Sequence, residues 1–408
     1  MTLRRDPRYP KTPKRASRMP GLPSGIPVAP ILSALGLVAI AAVSLALLRG
    51  ELPFLKGGGG DGGPIRTATP SNVVVVDPRA KVLGSIVYVK AGNVWIQKGE
   101  KAVQLTTGGF DSMPSFSPDG TSVYFIREAP SIGLWRFNGE VRRYELETPS
   151  LMRVPVDGGG PPTSLYVGRL TSGKLSWQTF IRQPRVSPDG TTVALMTDGP
   201  DPSKSDVVLK FFDLATGKLR DPQINEITPL GHQDPAWAPD GASILYVKDA
   251  HDLTRGTPSI FSYSLATKKS TAVTGPGYMQ PSWSPDGRFI AATRTSALGT
   301  DVAILDAKTG QEVLRVTADE ASFAPVWSPA GDAIAFLRVD GGVVDLELAK
   351  LAGTPGTWIV EETLAMTESA GLDAASGASW FIPADLLPTP APTLPPATPA
   401  ASGGPSPT

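Results

Sequence analysis

Only two histidines, His232 and His251, occur in the 408 residues, and there is no cysteine. Metal-assisted elimination or hydrolysis asks for clustered imidazoles or thiolates, so two histidines 19 positions apart offer little for it. Nucleophilic hydrolysis on an α/β domain asks for a G-x-S-x-G elbow followed by an acid and a histidine. No such pentapeptide is present. The run "DGGG" at 157–160 lacks the Lys-Ser/Thr and helix of a phosphate cradle and reads as a hairpin turn. Carboxylates recur more suggestively at Asp119, Asp189, Asp240 and Asp286, where a convergent set would suit acid–base work. Each sits in the same short context, however, and that context specifies a turn.

The context is a repeat: "MPSFSPDG" (113–120), "QPRVSPDG" (183–190), "DPAWAPDG" (234–241), "QPSWSPDG" (280–287) and "APVWSPAG" (324–331). Proline fixes φ at the first corner of a type I turn, aspartate suits the second, and glycine takes the left-handed exit. The turn set is Pro118, Asp119 and Gly120; Pro188, Asp189 and Gly190; Pro239, Asp240 and Gly241; Pro285, Asp286 and Gly287; and Pro329 with Gly331, where Ala330 replaces the aspartate.

A strand must enter and leave each turn. The exits "SVYFIR", "TVALMT", "SILYVK", "RFIAATR" and "AIAFLR" are apolar nearly throughout, as strands packed on both faces should be. Four residues before each glycine stands Phe116, Val186, Trp237, Trp283 or Trp327, a size suited to filling the gap between neighbouring sheets. Further strand–turn–strand runs at 93–106, 207–219, 260–274 and 302–317 bring each unit to four antiparallel strands. Four-stranded sheets repeated around an axis make a β-propeller.

The glycine column steps by 70, 51, 46 and 44 residues, so the first step is one unit with an insertion, expected within 127–150. About six units of the ~45-residue period then fit. "SIVYVK" (85–90) repeats "SILYVK" (243–248) without a Pro-Asp-Gly turn before it. Its missing inner strand comes either from "GASWFIPAD" (377–385) or from "NVVVVDP" (72–78).

Charge is uneven. Residues 1–50 carry eight basic residues against Asp6, and the remainder has 30 basic and 37 acidic, a net of −7. Such a body has no electrostatic footprint for phosphate backbones, so nucleic acid is excluded as a partner. From Ile26 to Leu48 no charge occurs over 23 residues, long enough to cross ~30 Å of hydrocarbon. Basic residues on its N-terminal side predict a single-pass anchor with a cytoplasmic N-terminus and an extracytoplasmic body. The alternative is a cleaved signal peptide with Ser44-Leu45-Ala46 at its end. The expected organisation is a basic segment (1–25), a transmembrane helix (26–48), a glycine-rich linker (49–82), a six-bladed propeller (83–386) and a Pro/Thr-rich disordered tail (387–408).

The five copies of P-x-[aromatic or Val]-[SA]-P-[DA]-G resemble the WD40-like repeats of TolB-type propellers. Similar repeats build the N-terminal propellers of the prolyl oligopeptidase and dipeptidyl-peptidase IV families. The resemblance implies an all-β six-bladed propeller that binds partners. Where TolB carries an N-terminal domain that binds lipoproteins, this chain has the apolar run and the glycine tether. Metal-using propeller lyases resemble the repeat too, but they need the clustered histidines missing here.

The expected function is therefore a membrane-anchored, extracytoplasmic, non-catalytic scaffold for protein interaction or ligand sensing. It has no cofactor or metal, and its partner is a protein or a cell-envelope polymer. The alternative is a propeller enzyme, or a carbohydrate- or peptide-binding protein, using the channel mouth. Loops entering the inner strands should gather at that mouth, with Phe110, Asp111, Met113, Arg182, Gln183, His232, Asp234, Tyr278, Met279 and Phe323 as candidate contacts.

Overall fold

Ser-Pro-Asp-Gly makes the same corner wherever it occurs. In the computed structural model Gly120 (φ +68°) donates its N–H to Ser117 O at 2.9 Å. The Ser117 hydroxyl donates to Asp119 Oδ1 at 2.5 Å and accepts the Ser122 amide at 3.0 Å. Gly190 and Gly287 close identical turns over Ser187 and Ser284. Where Ala330 replaces the aspartate, Asp332 takes over and accepts from Ser328 Oγ at 2.8 Å.

These bonds favour the ionised carboxylate. The Ser117 hydroxyl and Thr121 amide hold Asp119 below its ordinary 3.8, and Ser187 with Thr191 do the same for Asp189. At Asp286 burial opposes the shift, and the Ser284 and Arg288 bonds prevail. A depressed folded-state pKa contributes stability above the unfolded value and loses it as pH falls through the folded one. Urea melts should show it. An Asp119→Asn/Asp189→Asn variant is expected to be weaker than wild type at pH 7, with the gap narrowing below about pH 4. A gap unchanged down to pH 2 would rule out these carboxylates as its source.

The structure describes residues 77–198, 207–224, 231–251 and 254–388, all within the unit Val75–Thr408. They form six antiparallel sheets with a four-stranded core. From the inner strand outward, blade 2 is Asp111–Phe116, Ser122–Phe137, Glu140–Pro155 and Thr163–Val167. Blade 3 is Ile181–Val186, Thr192–Asp198, Val207–Asp213 and Lys218–Arg220. Blade 4 is His232–Trp237, Ser243–His251, Thr254–Ser264 and Ser270–Ala272. Blade 5 is Tyr278–Trp283, Phe289–Thr295, Thr300–Asp306 and Glu312–Arg315, and blade 6 is Ser322–Trp327, Ala333–Asp340, Val343–Ala352 and Ile359–Ala365. Each inner strand adjoins the next around the ring, from blade 2 through blade 6 to blade 1 and back.

Blade 1 settles how the ring closes. Its inner strand is Ser379–Phe381, paired with Ser85–Lys90 through Ile86↔Trp380, and Asn93–Lys98 and Lys101–Gln104 complete it. Of the rival donor, residues 72–76 lie outside the described residues. Further ties bind the C-terminal segment to this blade: Gln97 Nε2 to Met366 O (2.8 Å) and Asp373 N to Val89 O (2.9 Å).

Apolar side chains gather in six clusters, one per blade junction. Val87 and Val89 meet Phe116 and Phe125 between blades 1 and 2, and Phe289 and Ile304 meet Trp327 and Phe336 between blades 5 and 6. This is why the second strands are apolar on both faces. A recurring threonine finishes the outer edge: the hydroxyls of Thr106, Thr274, Thr317 and Thr367 accept the amides of Val94, Ile260, Val302 and Leu346.

The insertion lies in blade 2, where Ser122–Phe137 and Glu140–Pro155 run on as one long hairpin through Phe137↔Glu140. A second hairpin, Arg169–Ser172 with Leu175–Gln178, adds to its side at Leu134↔Ser176.

The membrane placement is corrected. Among the described residues no helix is long and apolar enough to cross a membrane, and the only helices are two 3₁₀ turns, Pro78–Lys81 and Ala384–Leu386. Segment 26–48, which carried the expectation of a transmembrane helix and a single-pass localisation, lies outside the described residues, as do 1–25, most of the linker and the tail from 389. No element of the described structure supports an anchor, and the single-pass assignment is withdrawn.

Candidate functional site

The six inner strands run side by side around a central channel, and the five of blades 2 to 6 are bulged at their middles. Register shifts fall at 113–114, 183–184, 234–235, 280–281 and 324–325, just at the proline column. The residue before each proline is left-handed: Met113 (φ 54°), Gln183 (52°), Asp234 (50°), Gln280 (51°) and Ala324 (50°). Gly377 (φ 65°) holds the sixth position. Non-glycine residues there carry ~1–2 kcal/mol of strain each, offset here by bonds between blades.

Those bonds form a relay. The Gln183 amide donates to Met113 Sδ (3.2 Å), the Asp234 amide to Gln183 Oε1 (2.9 Å), the Gln280 amide to Asp234 Oδ2 (3.2 Å) and the Ala324 amide to Gln280 Oε1 (3.0 Å). Gln183 Nε2 also donates to Asp234 Oδ1. The side chains of Met113, Gln183, Asp234 and Gln280 thus each accept the amide of the next blade. Gln183, Asp234 and Gln280 make a polar waist around a cavity of about 50 Å³ that Arg185 and Ser376 also line.

Past the waist, toward the Ser-Pro-Asp-Gly turns, the channel widens to a recess of about 570 Å³. Its wall is the large-residue column, Phe116, Val186, Trp237, Trp283, Trp327 and Trp380, rimmed by the turn prolines. Three of the four indoles are tied down: Trp237 Nε1 donates to Arg185 O (3.0 Å), Trp283 Nε1 to Ala236 O (3.2 Å) and Trp380 Nε1 to Leu83 O (3.0 Å), whereas Trp327 Nε1 makes no hydrogen bond. Arg185 lines both the waist and the recess. Burial lowers its guanidinium pKa from the usual value, and Asp234 opposes this in part.

The ten residues expected at the mouth divide. Gln183 and Asp234 lie in the waist, and Met113 meets it only through Sδ, which accepts the Gln183 amide. Phe110 is exposed, and Arg182 is exposed with its guanidinium 4.2 Å from the Phe180 ring. Asp111 is a structural residue, 2% exposed and doubly bonded to Arg127 at 2.6 and 2.8 Å. His232 is buried beside Tyr246, and its Nδ1 accepts the Leu209 amide of blade 3 at 3.2 Å. Tyr278 donates to Glu312 at 3.2 Å, its hydroxyl pKa raised by burial and then by that carboxylate. Met279 and Phe323 pack against blade-junction clusters. His251 ends the second strand of blade 4.

The sequence reading missed Gln280, Ala324 and Ser376 in the waist, and it took the aromatic column for packing alone. The signal for the first two was their place immediately before the repeated proline. Among the described residues no group of three or more His, Cys, Asp or Glu is placed to hold a metal.

A family model described as the TolB beta propeller domain matches residues 162–370, just over half of the chain. Among solved structures, the chain is similar to TolB from Acinetobacter baumannii at 18% identity with a TM-score of 0.52. That match covers 73% of this chain and 66% of the other, so the chain spans about two thirds of the length of that TolB. A protein from Agrobacterium tumefaciens described as TolB matches at 17% identity and a TM-score of 0.49, over 73% of this chain and 98% of that one. At these identities the likeness is one of fold. No curated protein matches.

Proposed function

The chain belongs to the TolB β-propeller domain family, and on that premise we propose that it is a non-catalytic binding scaffold whose central channel receives an extended segment of a protein partner. One observation carries the reading: a preformed recess of about 570 Å³, walled by aromatic residues and ending at a polar waist. Aromatic anchors give a partner large apolar contact at low entropic cost, and a rigid recess spends little binding energy on ordering itself. The polar groups best suited to chemistry are otherwise engaged, Asp111 with Arg127 and His232 with Leu209.

Val326 lines both the waist and the recess, so Val326→Arg should plug the channel while the blades stay intact. In affinity capture from the source cell's extract, partner recovery is expected to fall about ten-fold or more relative to wild type. A Phe110→Ser/Arg182→Ser variant is expected to retain it. The reverse pattern would move the site to the opposite mouth, and turnover in a hydrolase and lyase panel would overturn the non-catalytic reading.

A further inference from the structure

Two polar groups at the waist keep hydrogen-bonding capacity that the fold does not fill. Ser376 is 3% exposed and its hydroxyl has no hydrogen-bond partner. Arg185 makes one side-chain bond, from Nη1 to the adjacent Pro184 O at 3.0 Å, and no carboxylate of the described residues forms an ion pair with it. Both line the cavity of about 50 Å³, and Arg185 also faces the larger recess, so it stands at the passage between them.

We propose that this passage binds the carboxylate end of a ligand, held by the Arg185 guanidinium and the Ser376 hydroxyl, with the ligand's apolar body in the tryptophan-walled recess. The inference rests on the reading of the channel as a binding site and specifies what that site selects.

The balance of donors and acceptors decides the ligand's chemistry. Acceptors at the waist are committed: Gln183 Oε1 takes the Asp234 amide, and the Gln280 carbonyl takes the Ala324 amide and the Thr293 hydroxyl. What remains is a surplus of donors, from a half-buried guanidinium and a buried hydroxyl. A buried donor left unmade costs more than a made one gains, so the site favours an acceptor-rich anion. The planar fork of arginine matches a carboxylate with two parallel bonds.

Asp234 lines the same cavity with its oxygens accepting from Gln183 and Gln280. Its negative charge disfavours a dianion, which selects carboxylate over phosphate. The volume agrees. A space of about 50 Å³ exceeds the ~30 Å³ share of one water but is too small for a whole ligand, so only an end group enters.

Isothermal titration of the full chain tests this with three probes: N-acetyl-Ala-Pro-Leu bearing a free carboxylate, the same tripeptide as its C-terminal amide, and decanoate. The acid is expected to bind about ten- to a hundred-fold more tightly than the amide, the range of a charge-assisted bond. Arg185→Gln should erase the difference, and Ser376→Ala should weaken the acid alone by a few-fold. Arg185→Lys, which keeps the charge and loses the fork, should lie between and serves if the glutamine variant melts early. Tighter binding of the tripeptide acid assigns the end group to a polypeptide terminus, and tighter binding of decanoate assigns it to a small organic acid.

Equal affinity for acid and amide, with both lost in Val326→Arg, would keep the channel as the site and overturn the anion selection. Binding of none of the three would overturn the carboxylate site, whereas partner capture tests the channel separately.

Discussion

Trp380→Ala is expected to cost ~3–5 kcal/mol of unfolding free energy, the range for emptying a buried tryptophan site. The inner strand of blade 1 has only three residues, so closure rests heavily on this side chain. Trp380 is 9% exposed, pairs with Ile86 across the strands and donates its indole N–H to Leu83 O at 3.0 Å. It also packs with Ile86, Leu348 and Leu364 between blades 6 and 1. One truncation therefore removes apolar contacts, a hydrogen bond and the seam of the ring. Native-state hydrogen exchange should show the loss concentrated in residues 85–90 and 322–327, with blades 3 and 4 protected longer. A cost below ~1 kcal/mol, or an even loss across all blades, would show that the seam is held elsewhere.

Arg127→Met is the second large effect, also at ~3–5 kcal/mol. The substitution strands the Asp111 carboxylate, whose side chain is 1% exposed, whereas Arg127 keeps about a quarter of its surface in contact with water. Asp111 bonds hold the Arg127 guanidinium pKa above its ordinary value. Replacing both, as Asp111→Leu/Arg127→Met, should recover most of the loss, because a well-packed apolar pair avoids desolvation altogether. A double-mutant cycle of urea melts gives the coupling, and strict additivity of the two single losses would remove the ion pair as the cause.

These positions also show what a sequence can display. The turn columns and the apolar second strands are local: each corner is written in its own few residues, and five of the six blades repeat them with at most one change, so the architecture was legible without a structure. The blade 2 insertion was legible from spacing, although the hairpin at 169–178 was not separated from it. Asp111 was misplaced because its partner is set by register. Arg127 lies across the hairpin, and only strand pairing brings the two together.

His232 was placed among the mouth contacts for the same reason, since Leu209 belongs to another blade. The waist was hidden more deeply. A residue before proline is ordinarily extended, so nothing in Gln-Pro or Asp-Pro announces a left-handed bulge. Only Gln183 and Asp234 of the ten expected contacts reached the waist, and Gln280, one residue beyond Met279, was passed over.

The left-handed column limits how this protein can diversify. Its six letters are Met, Gln, Asp, Gln, Ala and Gly, with no Val, Ile or Thr, whose branched Cβ fits φ near +50° poorly. Selection acting on the lumen of the propeller thus writes with a short alphabet at this level. New specificities must arise either from unbranched polar letters here or from the less constrained position two residues on, which Arg185 and Val326 occupy.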